Sequence, residues 1–196
     1  AGRLPTGIDR VCLSYLDHYA HRAHALVQKG SLRFVLNAGA SDRLFRLLLD
    51  RGPLIRTKLV TCLVQAIWQR EQDFRGKTYL NVGHTGLDAQ SLPNWLKQNK
   101  LQSVFLVHDL IPITHPQYCR KGEADRHAKR IRHLLKSADG VIANSEDTLN
   151  QLAQFAATEM LRLPSHTLVA LLGTDMQQTT VPWPTRPVSP YFVTIG

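Results

Sequence analysis

Ser103 to His127 reads SVFLVHDLIPITHPQYCRKGEADRH, and this stretch decides the fold. An apolar run stops abruptly at His108 and Asp109, a proline-broken loop follows, and a basic segment then opens what reads as a helix. A short continuous apolar run bounded by turn signals reads as a strand in a sheet covered on both faces. The polar pair therefore falls at a strand's C-terminal end. In open α/β sheets ligands bind at that edge, where loops leave a crevice and helix N-termini point into it.

Working outward from this strand, the same punctuation recurs. Downstream, Ala124, Ala128, Ile131, Leu135 and Ala138 form one apolar helical stripe, and Arg126, Lys129, Arg130, His133 and Lys136 occupy the rest of that helix. Gly140 to Ala143 reads as a strand, Asn144-Ser145 as the cap of a helix over 146–158, and Thr167 to Leu172 as a strand ending in Gly173, Thr174 and Asp175. Upstream, a short helix over 92–99 follows a strand at Thr78 to Val82, which ends in Gly83, His84, Thr85 and Gly86. Glycines there allow a tight turn or a close approach to a ligand. Strands alternating with helices predict a Rossmann-like α/β fold, a parallel sheet with right-handed crossovers and helices on both faces.

The first third is read by periodicity. Ile8, Val11, Cys12, Tyr15, Leu16, Tyr19, Ala23, Leu26 and Val27 predict one helix over about 8–28, with Thr6 and Asp9 as a capping-box variant and Gly30 as its stop. His18, His21 and His24 fall on its polar side and read as solvated surface residues rather than a metal site. Leu32 to Asn37 reads as a strand, and helices follow over 41–50 and 56–72, separated by Gly52 and Pro53. In the second of these, Leu59, Val60, Leu63, Val64, Ile67 and Trp68 are expected in the core.

From Met176 the character changes, with four prolines in VPWPTRPVSP and then YFVTIG. Residues 1–176 are expected to form one domain, 177–190 a proline-rich linker, and 191–196 the first strand of a second, truncated domain. The chain begins at Ala1 without a methionine, so upstream sequence is expected as well.

Composition narrows the class. A chain of 196 residues with 43% hydrophobic and 20% charged content suits a globular domain. No apolar run approaches the roughly 18 residues of a membrane span. A net charge of +9 points to an anionic partner without choosing between nucleic acid, a phosphorylated small molecule and an anionic membrane surface. Three scattered cysteines, Cys12, Cys62 and Cys119, argue against a disulfide framework or zinc ribbon and fit a reducing, cytoplasmic compartment. There is no G-x-G-x-x-G, no Walker A and no zinc-finger, RNP or KH signature.

Five segments, in order, resemble the N-terminal half of a family 4 glycosyltransferase of the two-domain GT-B type, especially the bacterial mannosyltransferase-like members of polysaccharide assembly. They are PTGIDRV at Pro5 to Val11, NVGHTGLD at Asn81 to Asp88, VHDLIPITHPQYC at Val107 to Cys119, ADGVIANSEDT at Ala138 to Thr148, and LLGTD at Leu171 to Asp175. The family's first strand, which should precede the PTG loop, has no room here, and its donor-binding domain with paired glutamates is absent. The resemblance implies the acceptor-side domain of a retaining enzyme that moves a sugar from a GDP- or UDP-linked donor to a glycan or lipid-linked acceptor, inactive in isolation and without a catalytic metal or other cofactor. It also implies a cytoplasmic protein, peripheral at the inner face of the plasma membrane.

Transfer from a nucleotide sugar needs a place for the diphosphate, a place for the acceptor hydroxyl and groups that stabilise the charge separating between them. Gly7 at a helix start offers backbone N–H groups to phosphate oxygens, and Arg10, one turn in, adds a charge-assisted contact; an ordinary capped helix with a surface arginine is the plainer reading. The resemblance places His108 in the donor-sugar pocket and makes Gly7, Asp9, Arg10, His84, Thr85, Asp109 and Ser145 substrate-binding positions. Asp109 either orients His108 or holds its loop. A metal-dependent HD phosphohydrolase is the competing use of His108 and Asp109, but that class sets its ligands on helices, and His115 and His127 add no recognised ligand spacing. The basic segment 120–136 is either a solvated face or a dock for anionic lipid headgroups. The alternative to an enzyme is a basic module that binds nucleic acid or a membrane surface. Without nucleic-acid signatures or aromatics interleaving the basic helix, no nucleic-acid partner is expected.

Overall fold

The structure, a computed structural model, describes residues 6–50, 55–66, 68–71 and 73–173. In chain order its elements are α1 (Gly7–Tyr19), β1 (Leu26–Lys29), β2 (Leu32–Val35), α2 (Ala38–Asp50), α3 (Ile55–Ala66), β3 (Thr78–Asn81), α4 (Leu92–Gln98), β4 (Gln102–Val107), α5 (Ile111–Thr114), α6 (Glu123–Ser137), β5 (Gly140–Ala143), α7 (Glu146–Thr158) and β6 (His166–Val169). The expected linker over 177–190 and strand over 191–196 lie outside the described residues.

Strands β3 to β6 form a four-stranded sheet in the order β3-β4-β5-β6, with every neighbouring pair parallel. This is the Rossmann-like α/β sheet, flanked by helices, that the alternating pattern predicts. Phe105 and Val107 of β4 and Val141 of β5 share one face and pack with Leu92 and Leu96 of α4, Ile131, Leu134 and Leu135 of α6, and Leu152 and Ala156 of α7. A strand order that advances in one direction sends right-handed crossovers to one face, which explains why these three helices share a single core. The opposite face stays partly open at the two edge strands, where Leu80 is 37% and Leu168 is 58% exposed. Cover on both faces is therefore incomplete at those positions.

The first third differs more from its reading. The helix expected over 8–28 ends at Tyr19, a 3-10 turn spans Ala20–Arg22, and Leu26 already belongs to a hairpin strand. The reason is Gly30-Ser31: Lys29 pairs with Leu32, so these two residues are the whole loop, and Gly30 takes φ +60. Two-residue hairpin loops require that positive φ, and glycine supplies it without strain. His24 then leaves the helix altogether. Its Nδ1 lies 3.0 Å from the Leu36 carbonyl oxygen and 3.6 Å from Glu71, so it is a structural contact rather than a solvated histidine.

A second core joins Ala25, Phe34 and Leu36 to Ala40, Leu44 and Phe45 of α2 and Cys62 of α3. Helix α3 turns Leu59 and Cys62 inward. Val60 and Val64 face out at 61% and 58% exposure, and Trp68, in the turn beyond the helix, is 90% exposed. The expectation that these three lie in the core is wrong, because α3 is apolar on more than one side and, among the described residues, only the side with Leu59 and Cys62 packs into a core. The hairpin reaches the parallel sheet through polar contacts, Gln28 Nε2 donating to the Gly86 carbonyl at 3.1 Å and Arg33 Nη1 to Ser91 Oγ at 2.9 Å.

Candidate functional site

His84 follows β3, His108 follows β4, and His127 sits in the second turn of α6. The His84 ring lies 5.4 Å from that of His108 and 5.8 Å from that of His127, centroid to centroid. All three are buried, at 8%, 7% and 6% exposure. The cluster thus stands at the C-terminal edge of the parallel sheet, where crossover folds leave their crevice.

Each ring is held the same way. His84 Nε2 lies 2.9 Å from the Leu106 carbonyl oxygen, His108 Nε2 2.7 Å from that of Val82, and His127 Nε2 3.1 Å from that of Asp109. A carbonyl only accepts, so each Nε2 carries the proton and donates it. In the neutral ring the lone pair then resides on Nδ1. Among the described residues, the side-chain polar atoms that are both sealed and unpaired are Arg33 Nη2, Asn81 Oδ1 and Arg130 Nε, and no histidine nitrogen is among them.

Burial pushes the His84 imidazole down from 6.5 to about 4, and the neighbouring His108 and His127 rings add to the effect because a second positive charge there is unfavourable. Burial also lowers His127. His84 has a further mark of constraint. Its backbone takes φ +57, a left-handed conformation that costs a non-glycine residue roughly 1–3 kcal/mol and is held only when the surroundings enforce it.

The loop around His84 is built to close tolerances. A Cβ at Gly83 would come within 2.8 Å of Cys12 Sγ on α1, so glycine lets α1 lie directly against this loop. Gly86 takes φ +76, and a Cβ there would collide with the Gln28 amide. Beside it, Gln28, Gly30, Thr85, Gly86, Asp88 and Ala89 line an open crevice of about 310 Å³. The exposed Thr85 is one wall of it, and its carbonyl is fixed by Asn81 Nδ2 at 2.9 Å.

Asp109 holds the loop. Its Oδ1 accepts from the Ile111 backbone N–H at 3.1 Å and its carbonyl receives His127, whereas no hydrogen bond joins its side chain to His108 among the described residues. The sequence left both roles open, and the geometry selects this one. Ser145 caps α7: its Oγ accepts from the Thr148 backbone N–H at 3.1 Å and donates to the Thr148 hydroxyl at 3.0 Å. The Thr148 hydroxyl in turn lies 3.4 Å from the His108 carbonyl oxygen. Ser145 therefore reaches the cluster through Thr148 rather than directly.

Gly7, Asp9 and Arg10 are exposed. Asp9 completes a capping box, its carboxylate accepting from the Thr6 backbone N–H at 2.8 Å and the Thr6 hydroxyl at 2.9 Å. A Cβ at Gly7 would meet nothing within 4 Å, so packing does not require glycine there. His84, His108, Asp109 and Ser145 are thus brought around one sheet edge, and Thr85 faces the adjoining crevice.

Reasoning from sequence missed His127 as a partner of this cluster. The signal was present, since His127 lies four residues before Ile131 and so shares its side of α6, but that side was read through Ala124 and Ala128. Arg33, buried at 9% exposure and hydrogen-bonded through Nε to Gln28 at 3.0 Å, was also missed; nothing in a hairpin strand marks a buried arginine. His115 stays exposed and apart. No group of three or more His, Cys, Asp or Glu side chains among the described residues is arranged to hold a metal ion. Models of known protein families, curated proteins and solved structures were all compared with the chain, and none matches it.

Proposed function

We propose that this chain is the acceptor-side domain of a retaining glycosyltransferase, with the His84–His108–His127 edge as the wall that receives the transferred sugar. The observation that carries the reading is the shared tautomer. Each of the three imidazoles commits Nε2–H to a backbone carbonyl, which leaves Nδ1 as the ring atom that can accept from a ligand. Sugar hydroxyls donate to such groups; phosphate oxygens, which need donors, do not. The cluster therefore suits the sugar rather than the diphosphate, and His108 positions it without taking the acceptor's proton.

In this reading the diphosphate goes to the start of α1, through the Gly7 amide and the Arg10 guanidinium. The Asp9 carboxylate on the same turn opposes an anion there, so the binding depends on Arg10 more than on the helix end. The opposite wall, with the donor nucleotide, would belong to a second domain of a longer polypeptide, and the GDP- or UDP-linked sugar and the glycan or lipid-linked acceptor would meet between the two. Among the described residues no helix is long and apolar enough to cross a membrane. The basic segment 120–136 is a weak lipid dock, since Arg132 is held bidentately by Glu159 at 2.7 and 2.8 Å, and Arg126 and Arg130 both face Glu123.

The test is sugar transfer by the polypeptide that carries this chain, with labelled nucleotide sugar and a lipid-linked acceptor. His108→Ala should lower transfer by about 100-fold or more at an unchanged circular-dichroism spectrum, on the scale of a lost positioning contact. Wild-type turnover in that variant removes His108 from the mechanism, and the absence of transfer by the unaltered polypeptide across donors refutes the class.

A further inference from the structure

The crevice beside the His84 loop has a cation behind its wall. Gln28, Gly30, Thr85, Gly86, Asp88 and Ala89 line about 310 Å³, the low end of small-ligand sites, and no large apolar side chain is among them. Arg33 of β2 is 9% exposed, and no carboxylate pairs with it among the described residues. The titratable group that faces it is the Tyr79 phenol. A buried charge is ordinarily paired, and an orphaned donor on it calls for a partner.

The hydrogen bonds of Arg33 leave a fork half filled. Nη1 donates to Ser91 Oγ at 2.9 Å and Nε to Gln28 Oε1 at 3.0 Å, while Nη2 is sealed and unpaired. Nε and Nη2 lie on one edge of the planar guanidinium with parallel N–H bonds, an edge that a carboxylate or phosphate takes with two oxygens. An amide has one oxygen and fills only the Nε half. That amide belongs to Gln28, which lines the crevice and donates through Nε2 to the Gly86 carbonyl at 3.1 Å, so the half-filled edge lies behind the crevice wall. The cover is thin, since Gln28 is half-buried and Ser91 exposed.

We propose that the crevice binds the anionic group of an acidic or phosphorylated sugar, with the Gln28 amide turning aside so that two oxygens of the anion take Arg33 Nε–H and Nη2–H. The rest of the lining fits a hydroxylated ring. Thr85 brings a hydroxyl, the exposed Asp88 brings a carboxylate that accepts from sugar hydroxyls, and Gly30 and Gly86, both at positive φ, keep their walls free of side chains. Asp88 repels a bare anion, so hydroxyls on the ligand are part of the recognition. No histidine ring takes part, and binding is measured without transfer, so this site and the sugar-transfer reading fail separately.

The 196-residue chain is titrated with glucuronate, glucose 6-phosphate, glucose and inorganic phosphate while backbone amide resonances are followed. An acidic sugar should saturate shifts at Thr85, Gly86 and Asp88 and bind about tenfold or more tighter than glucose, and the tighter of the two names the anion as carboxylate or phosphate. Arg33→Lys keeps the charge but loses the fork, and should weaken that binding by about tenfold at an unchanged circular-dichroism spectrum. Where the lysine variant loses its fold, Asp88→Asn decides, because Asp88 is exposed: with the opposing charge removed, inorganic phosphate should bind about threefold or more tighter than to wild type. Four results overturn the inference: no saturable shift with either acidic sugar up to about 10 mM, glucose bound as tightly as they are, full affinity in a folded Arg33→Lys, or phosphate affinity that Asp88→Asn leaves unchanged.

Discussion

Acid should unfold this domain through His84 before most carboxylates are protonated. The folded imidazole titrates at about 4 rather than 6.5, so between those values the unfolded chain binds a proton that the folded chain refuses. Stability then rises with pH across that window. It is fully present above about 6.5 and lost as pH falls toward 4. At about 1.4 kcal/mol per pH unit the whole loss is on the order of 3 kcal/mol, of which about 2 kcal/mol is gone by pH 5. His127, lowered by its own burial, acts in the same direction. The groups that face the pair electrostatically are His108, Asp109, Glu123 and Arg130. Urea midpoints measured from neutral pH to pH 5 on wild type and on His84→Gln isolate the effect, since both proteins share every other titrating group and glutamine can still donate to the Leu106 carbonyl. The wild-type profile should fall by about 2 kcal/mol more than that of the variant. Parallel profiles would show that the ring is not buried as described, and the tautomer argument would fall with it.

Two further substitutions test the scaffold around the site. Gly86→Ala forces a Cβ into the Gln28 amide at a positive φ and should cost about 1–3 kcal/mol in urea unfolding; a neutral result would mean that the hairpin does not rest on the His84 loop. Ser145→Ala removes the α7 cap and should cost about 1 kcal/mol, with a matching loss of amide-exchange protection in the first turn of α7.

The parallel half of the fold was legible because its signals are local and agree with one another. β5 and α7 occupy the residues that the glycine, the Asn-Ser cap and the apolar spacing indicate, and β3, β4 and α4 differ from their reading by a residue or so at the ends. The first third was not legible in the same way. Tyr15 to Val27 fits a helical period well, and only Gly30-Ser31 argues otherwise; a hairpin between Leu26 and Val35 wins because Leu36 and Phe34 bury against α2. Periodicity likewise could not say which side of α3 faces inward, since both sides are apolar.

At the site, the sheet-edge logic brought His84 and His108 together correctly, because both end neighbouring parallel strands. It could not supply His127, which arrives from a crossover helix across an 18-residue separation. Nor could it show that Asp109 spends its carboxylate on the Ile111 amide rather than on the adjacent histidine. Those outcomes depend on loop geometry, which residue identity alone does not encode.

The central claim of the proposal is that three imidazoles with Nε2–H bound to backbone carbonyls present Nδ1 acceptors to a sugar. Imidazole-nitrogen NMR on histidine-labelled protein near neutral pH reads this directly. The account predicts Nε2–H tautomers for His84, His108 and His127, and a shift of the His108 Nδ1 resonance toward a hydrogen-bonded position when a nucleotide sugar is added to the polypeptide carrying this chain. A protonated ring, an Nδ1–H tautomer at His108, or a saturated complex that leaves its Nδ1 unmoved would contradict it.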